Sequence, residues 1–169
     1  MREMRRFKQL LSDEDNLEIL QRGTHGVMAI MADDEYPYGV PINYFYNADT
    51  KTIYFHGANK GMRWDYMTKQ PKVSFCVVDM DQNDPENYST NFRSVICFGR
   101  ARVVEDDEEY YRALVDLTTK FVKGVHNTEE IVDQIEIERA QCGVTAIDVE
   151  FMTGKEAIEL VRARKPEIE

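Results

Sequence analysis

The chain has too little cysteine to be stapled by disulfides. Cys76, Cys97 and Cys142 are three in number, show no Cys-x-x-Cys spacing, and in two cases sit in apolar strand-like runs. That is the pattern of reduced, buried thiols and points to the cytoplasm. Positive charge is also scarce: 21 Lys and Arg stand against 31 Asp and Glu, a net charge of -10. A nucleic-acid backbone needs clustered cations, so no nucleic-acid partner is expected. No apolar run reaches the roughly 20 residues of a membrane span, and the basic start Met1–Arg6 leads into no apolar leader core. A soluble protein without a membrane partner is expected. Gly-x-Ser-x-Gly, Gly-x-Gly-x-x-Gly and Gly-x-x-x-x-Gly-Lys-Ser/Thr are all missing, which removes the common hydrolase and nucleotide motifs. His25, His56 and His126 form no metal-ligand spacing with one another or with the cysteines, so no metal is expected.

What is present suffices for a core. With 43 % hydrophobic and 31 % charged residues, residues 1–169 read as a single domain. Ser12 caps a short opening helix that ends at Gly23. The texture then turns to β: Gly26–Met31, Tyr38–Tyr46 and Thr52–His56, with turns at Asp33–Glu35 and Asn47–Asp49, read as a meander of hairpins. Pro41 lacks a ladder donor, which places its N–H side at an edge, a bulge or a ligand. A short helix over Met62–Gln70 stops at Pro71. Val73–Val78 reads as a strand buried on both faces, 79–91 as an acidic loop, and Arg93–Val104 as a long strand bent at Gly99. Acidic residues 105–109 open a helix bearing Tyr110, Leu114, Leu117 and Phe121, Asn127 caps a second one running to about Ala140, and Thr145–Phe151 is the last strand. The charged segment from Gly154 to Glu169 reads as a surface tail. Antiparallel strands in succession with helices in the connections indicate a mainly β, α+β architecture, a closed or half-closed barrel with flanking helices.

Within this frame, Thr52–Arg63 carries the most chemistry. A strand runs through His56 into a turn containing Gly57, Ala58 and Gly61, then into a helix start carrying Lys60 and Arg63. Free backbone N–H groups, a positive helix end and two cations make an anion cradle; the alternative is an ordinary strand-to-helix connection with two surface cations. His56, at the strand end, is either a proton donor to a ligand or a structural histidine bonded to a nearby carbonyl. Ser94 is either a ligand contact or a cross-strand residue.

The order of Tyr36–Tyr44, Ile53–Ala58, Gly61–Arg63, Gln70–Val73, Phe92–Ala101 and Met152–Lys155 resembles the flavin-binding split barrels related to pyridoxamine 5'-phosphate oxidase, especially the Nim-type nitroimidazole-resistance branch. The resemblance implies an antiparallel six-stranded split β-barrel that forms a homodimer with FMN at the subunit interface. It places Val40, Pro41, Ile42 and Asn43 along the flavin ring, and His56, Gly57 and Ala58 at the ring and ribityl chain. Arg63, with Lys60 and Gly61 nearby, takes the phosphate, and Ser94 reaches the flavin from the partner chain. Arg63 stands where many relatives carry Lys, and a guanidinium can still pair with phosphate. The basic residues that pyridoxamine phosphate oxidases carry on the flavin-contacting strand are replaced here by Val40–Asn43, so vitamin B6 oxidation is not implied. The resemblance instead implies an FMN-dependent oxidoreductase reducing a nitroimidazole or another small planar acceptor, with His56 as the catalytic residue and Tyr44 or Trp64 as walls. The alternative on the same barrel is a non-catalytic flavin or haem binding protein.

Overall fold

The computed structural model describes residues 3–165. Helix α1 (Asp13–Arg22) begins at the expected cap: the Ser12 hydroxyl accepts the Asp15 N–H at 3.0 Å, and three acidic residues occupy the first turn. Strands β1 (His25–Met31) and β2 (Pro37–Asn43) form a hairpin, paired from His25 opposite Asn43 to Met31 opposite Pro37.

The expected strand Tyr38–Tyr46 breaks at Tyr44. Its second half is a separate strand, β3 (Phe45–Asn47), which pairs with β4 (Thr52–Ala58). With β5 (Lys72–Asp84), β6 (Ser89–Val103) and β7 (Cys142–Glu156), the sheet is antiparallel and seven-stranded, in the order β2-β1-β5-β6-β7-β4-β3, so the six-stranded count and the continuous meander are both corrected. β2 and β3 are neighbours in sequence but occupy opposite ends of the sheet. Only Tyr44 joins them, so the sheet must curl until its two edges meet at that residue, without ladder bonds to close the ring. The corner is held by burial and hydrogen bonding. Tyr44 is fully buried; its hydroxyl donates to the Leu20 carbonyl at 2.8 Å, its N–H donates to the Thr24 carbonyl at 3.2 Å, and its ring meets Phe75 edge-on at 5.1 Å.

After helix α2 (Met62–Lys69), strands β5 (Lys72–Asp84) and β6 (Ser89–Val103) pair from Lys72 opposite Arg100 to Asp84 opposite Ser89, with a register shift between Val78 and Met80. The acidic segment 79–91 is therefore a hairpin arm rather than a loop. Backbone pairing sustains it, which a search for buried side chains does not detect. Val73–Val78 is buried on one face rather than two: Val73, Phe75 and Val77 are buried while Val78 is exposed. The bend at Gly99 is present as a register shift against β7 (Cys142–Glu156), where a Cβ would stand 2.2 Å from the Asp148 carbonyl oxygen.

Strand β7 outruns the expected Thr145–Phe151 at both ends, and the expected surface tail is corrected as well. Residues up to Glu156 complete the strand, and α5 (Ile158–Arg164) buries Val161. The buried Glu156 carboxylate is held by Arg93 at 3.7 Å and Arg164 at 2.9 Å, so the charge of this segment is paired internally. Residues 166–169 of that tail, like residues 1–2 of the basic start, lie outside the described residues.

Side-chain alternation along β4 divides the molecule. Ile53 and Phe55 face the main core with Leu20, Met28, Phe75, Val95 and Ile147. Tyr54 faces the other way, with Val144 and Ala146 of β7, and is covered by helices α3 (Asp107–Val122) and α4 (Thr128–Glu138) through Tyr110, Leu114, Ile131 and Ile135. The acidic run expected to open α3 also supplies its cap, Asp106, and α4 is capped as expected, by an Asn127–Glu130 capping box. Among the described residues no helix is long and apolar enough to cross a membrane.

Helix α3 is tied to the Tyr44 corner by Lys120, whose ammonium donates to the carbonyls of Gly23 and Tyr44 and lies 4.6 Å from the Tyr44 ring. Burial pulls the Lys120 pKa from 10.5 down to about 8. Between those values the unfolded chain binds the proton more tightly than the folded one, so this residue's contribution to stability rises with pH and levels off above the upper value. Urea unfolding of wild type and Lys120→Met at pH 7.5 and 10.5 checks this. The wild type should gain on the order of 1 kcal/mol relative to the variant, a figure already discounted for the solvent that reaches the ammonium. An unchanged difference would refute the depressed pKa.

Candidate functional site

The site is built where β4 ends. Gly57 on β4 is paired with Gly143 on β7, so two residues that point to the same face of the sheet both lack side chains. Helix α2 settles onto that bare patch. A Cβ on Gly57 would lie 2.8 Å from the Arg63 guanidinium, and one on Gly143 would lie 2.3 Å from the Trp64 ring. One pair further into the sheet, Thr145 donates to the Met67 sulfur at 3.6 Å and Phe55 lies beneath Arg63, with the guanidinium carbon 5.3 Å from the ring centroid. Gly61 precedes the helix with φ 97°, a conformation that favours glycine, and no side chain caps the first turn.

Arg63 is half-buried and donates to the Ala58 carbonyl at 3.0 Å. Burial lowers its pKa from the usual arginine value, and it remains a cation. Its remaining donors, the uncapped N–H groups of α2 and the exposed Lys60 surround one cleft of about 470 Å³, within the range of roughly 300–1,000 Å³ for small-molecule sites. The opposite wall is β2, from Tyr38 through Val40, Pro41, Ile42 and Asn43. Because β2 is an edge strand, its outer backbone groups lack a neighbouring strand, and Pro41 sits where its missing N–H breaks no ladder.

Every candidate named from the sequence lines this cleft except Ser94: Val40, Pro41, Ile42 and Asn43 on β2, and His56, Gly57, Ala58, Lys60, Gly61 and Arg63 on the β4–α2 turn. Ser94 lies on β6 opposite Val78 and Lys155, away from that lining. The expected walls are corrected: Tyr44 is fully buried with its hydroxyl on Leu20, and Trp64 packs on Gly143 without lining the cleft. Tyr38 and Met62 line it without having been singled out. Tyr38 could have been found from its alternation with Val40 and Ile42 on one strand face.

His56 occupies a different position from its neighbours. It belongs to the Tyr54 face of β4, opposite the face that carries Gly57 and Arg63, and borders both the cleft and a second cavity beneath α3 and α4. Its Nδ1 is 3.6 Å from the Cys142 sulfur, so Nε2 is the ring nitrogen left for a ligand. Desolvation by the surrounding protein holds its pKa below the ordinary imidazole value; the Glu138 carboxylate opposes that shift and the Arg63 charge adds to it. The imidazole is therefore neutral near pH 7, able to donate or accept a hydrogen bond.

A curled, unclosed antiparallel sheet with a cation-lined cleft at its open corner is the architecture of the flavin-binding split barrels. The family model for pyridoxamine 5'-phosphate oxidase matches residues 12–156, and the chain belongs to that family. Similar solved structures include a candidate 5-nitroimidazole antibiotic resistance protein from Bacteroides thetaiotaomicron, at 21% identity and TM-score 0.69, over 87% of this chain and 86% of the other. A conserved hypothetical protein from Mycobacterium tuberculosis matches at 18% identity and TM-score 0.76, over 91% and 90% of the two chains. A FAD and haem binding protein from Mycobacterium smegmatis matches at 18% identity and TM-score 0.68, over 94% and 80%. None of the curated protein sequences compared with the chain matches it.

The glycine pair makes a contrast that can be measured. In Gly143→Ala the new methyl meets the rigid Trp64 ring and should cost about 1–3 kcal/mol in urea unfolding, the usual range for overpacking, with a red shift of Trp64 fluorescence. In Gly57→Ala it meets only the movable end of Arg63, so the loss should be smaller. Equal losses would reject this account of how α2 is seated.

Proposed function

We propose that the chain is an FMN-dependent oxidoreductase whose flavin occupies the cleft between β2 and the β4–α2 turn. The observation that carries this reading is the convergence, in one cleft, of an edge strand open on its outer side and a turn bearing two cations, although their strands lie toward opposite ends of the sheet order. The two halves fit the two halves of the cofactor. The edge backbone of Val40–Asn43 suits the polar rim of a flat heterocycle. The Arg63 guanidinium, seated on Gly57 where no side chain could stand, suits the phosphate together with Lys60 and the first turn of α2. A single compact cation pair favours FMN among the flavins. When bound, the flavin would accept electrons from a donor such as NADH or NADPH and pass them to a small planar acceptor. The protein's part is to hold the ring and phosphate, to exclude water on the β2 side, and to present neutral His56 as a hydrogen-bond donor to the acceptor.

Ser94 does not line the cleft of its own chain, so a flavin contact from Ser94 requires a second copy. A homodimer with the flavin between subunits is part of the proposal, as is a cytoplasmic location. The family membership and the FAD and haem binding neighbour support flavin binding as a class. Reduction of a nitroimidazole is the particular acceptor chemistry that the likeness to the resistance protein suggests.

Titration of purified protein with FMN, followed by flavin fluorescence and absorbance, should show stoichiometric binding. Arg63→Ala should weaken it roughly ten- to a hundred-fold, the loss of a charge-assisted bond worth about 1.5–3 kcal/mol. Unchanged affinity would remove Arg63 from the phosphate role, and absence of any flavin binding would end the proposal. With FMN bound, NADH or NADPH oxidation should become dependent on a nitroaromatic acceptor. Tight flavin binding without turnover from either donor would make the protein a flavin carrier instead.

A further inference from the structure

The cavity on the far side of His56 is distinct from the cleft in both shape and charge. It has a volume of about 560 Å³ and lies between α3, α4 and the end of the β4–β7 ladder. Its apolar wall is built by Leu114, Ile131 and Ile135, all of them buried. The polar groups that reach it include the carboxylates of Glu130 and Glu138, and its lining contains no Lys or Arg. The flavin cleft, by contrast, carries Lys60 and Arg63. His56 borders both, and a third hollow of about 580 Å³ shares His56, Glu138 and Cys142 with the cavity and Gly57, Ala58 and Lys60 with the cleft.

The two carboxylates are not equivalent. Glu130 is engaged by the capping box, where it accepts the Asn127 N–H at 3.0 Å, and by His126 at 3.3 Å. Glu138 accepts one bond, from Gln134 at 2.7 Å, and its charge is felt at His56. An apolar chamber with one lightly engaged carboxylate and no cation rejects anions and rewards a positive charge attached to a hydrophobic body.

We infer that this cavity is a second ligand site, which takes a small arylalkyl amine as its ammonium, with the ring against Leu114, Ile131 and Ile135 and the nitrogen toward Glu138. Such a ligand meets His56 from the side opposite the anionic cofactor. The site goes beyond the flavin reading, because the binding involves this chain's residues alone and no electron transfer to the amine. A haem is a poor occupant of the same space, since its propionates would face Glu130 and Glu138 with no cation in the lining.

Benzylamine, benzoate and benzyl alcohol share a ring and differ in charge. Each is titrated calorimetrically into the full-length protein, with and without FMN, and into Thr118→Phe and Glu138→Gln. Thr118 lines the cavity and not the cleft. Benzylamine should bind saturably, with benzoate at least ten-fold weaker. Thr118→Phe should abolish the binding of all three while FMN affinity is kept, and Glu138→Gln should weaken benzylamine at least five-fold while leaving benzyl alcohol unchanged. Glu138→Gln carries the test should Thr118→Phe unfold. Absence of saturable benzylamine binding, benzoate binding as tight as benzylamine, or benzylamine binding that survives Thr118→Phe would each overturn the site. Benzylamine bound in this pattern by a protein that takes up no FMN would uphold the site and end the flavin reading. FMN bound with benzylamine ignored would do the reverse.

Discussion

Everything at the candidate site depends on how closely α2 approaches the sheet, and two facing glycines set that distance. With a Cβ at Gly143 the Trp64 ring would be displaced, and with one at Gly57 the Arg63 guanidinium would be displaced. Without both, the first turn of α2 would stand away from β4 and its uncapped N–H groups would face solvent rather than the cleft. Met67, one turn further along the same helix, is buried in the main core and anchors the helix once it is down. Close packing here serves to place a positive charge and a row of backbone donors as well as to exclude water.

The second constraint is the corner at Tyr44. A curled sheet whose edges met by hydrogen bonding would have no free edge to offer a ligand. Here the chain passes from β2 to β3 through one buried residue, and the outer side of β2 stays open beside the α2 turn. Tyr44, Leu20 and Lys120 hold that corner from three elements, α1, the β2–β3 link and α3. The cleft is a consequence of the sheet's incomplete closure, and its two walls are the sheet edge and the helix that the glycine pair admits.

Much of this was legible in the residues themselves. Ser12 and Asn127 announced their helices because a capping side chain is a local interaction, and Gly99 announced its bend because a close backbone approach demands glycine there. The cleft-lining residues emerged from motif order, which reflects a fold that has to bring β2 and the α2 turn together. What escaped was non-local. The Tyr38–Tyr46 stretch alternates as one strand, and nothing in it reveals that its halves pair with different partners at opposite ends of a sheet. Segment 79–91 looks like a loop because its side chains are polar, yet its backbone is satisfied by pairing. Glu156, in the charged segment after Gly154, looked solvated because one of its partners, Arg93, lies far away in sequence.

His56 shows the same limit at the scale of one residue. From the sequence it adjoins Gly57 and Arg63 and reads as part of one cradle. The two-residue period of a strand turns it to the other face, toward Cys142 and the chamber under α3 and α4, while Gly57 remains with Arg63. The strand separates Arg63 from the carboxylates of the cavity, and among the described residues the imidazole at its end borders the cleft and the α3–α4 cavity alike, with a ring nitrogen to offer. Desolvation keeps that imidazole neutral despite Glu138, so it can give a proton to a hydrogen bond on one side without adding a charge to either. A neutral histidine between a cleft lined by Lys60 and Arg63 and a cavity lined by Glu130 and Glu138 can hydrogen-bond on either side.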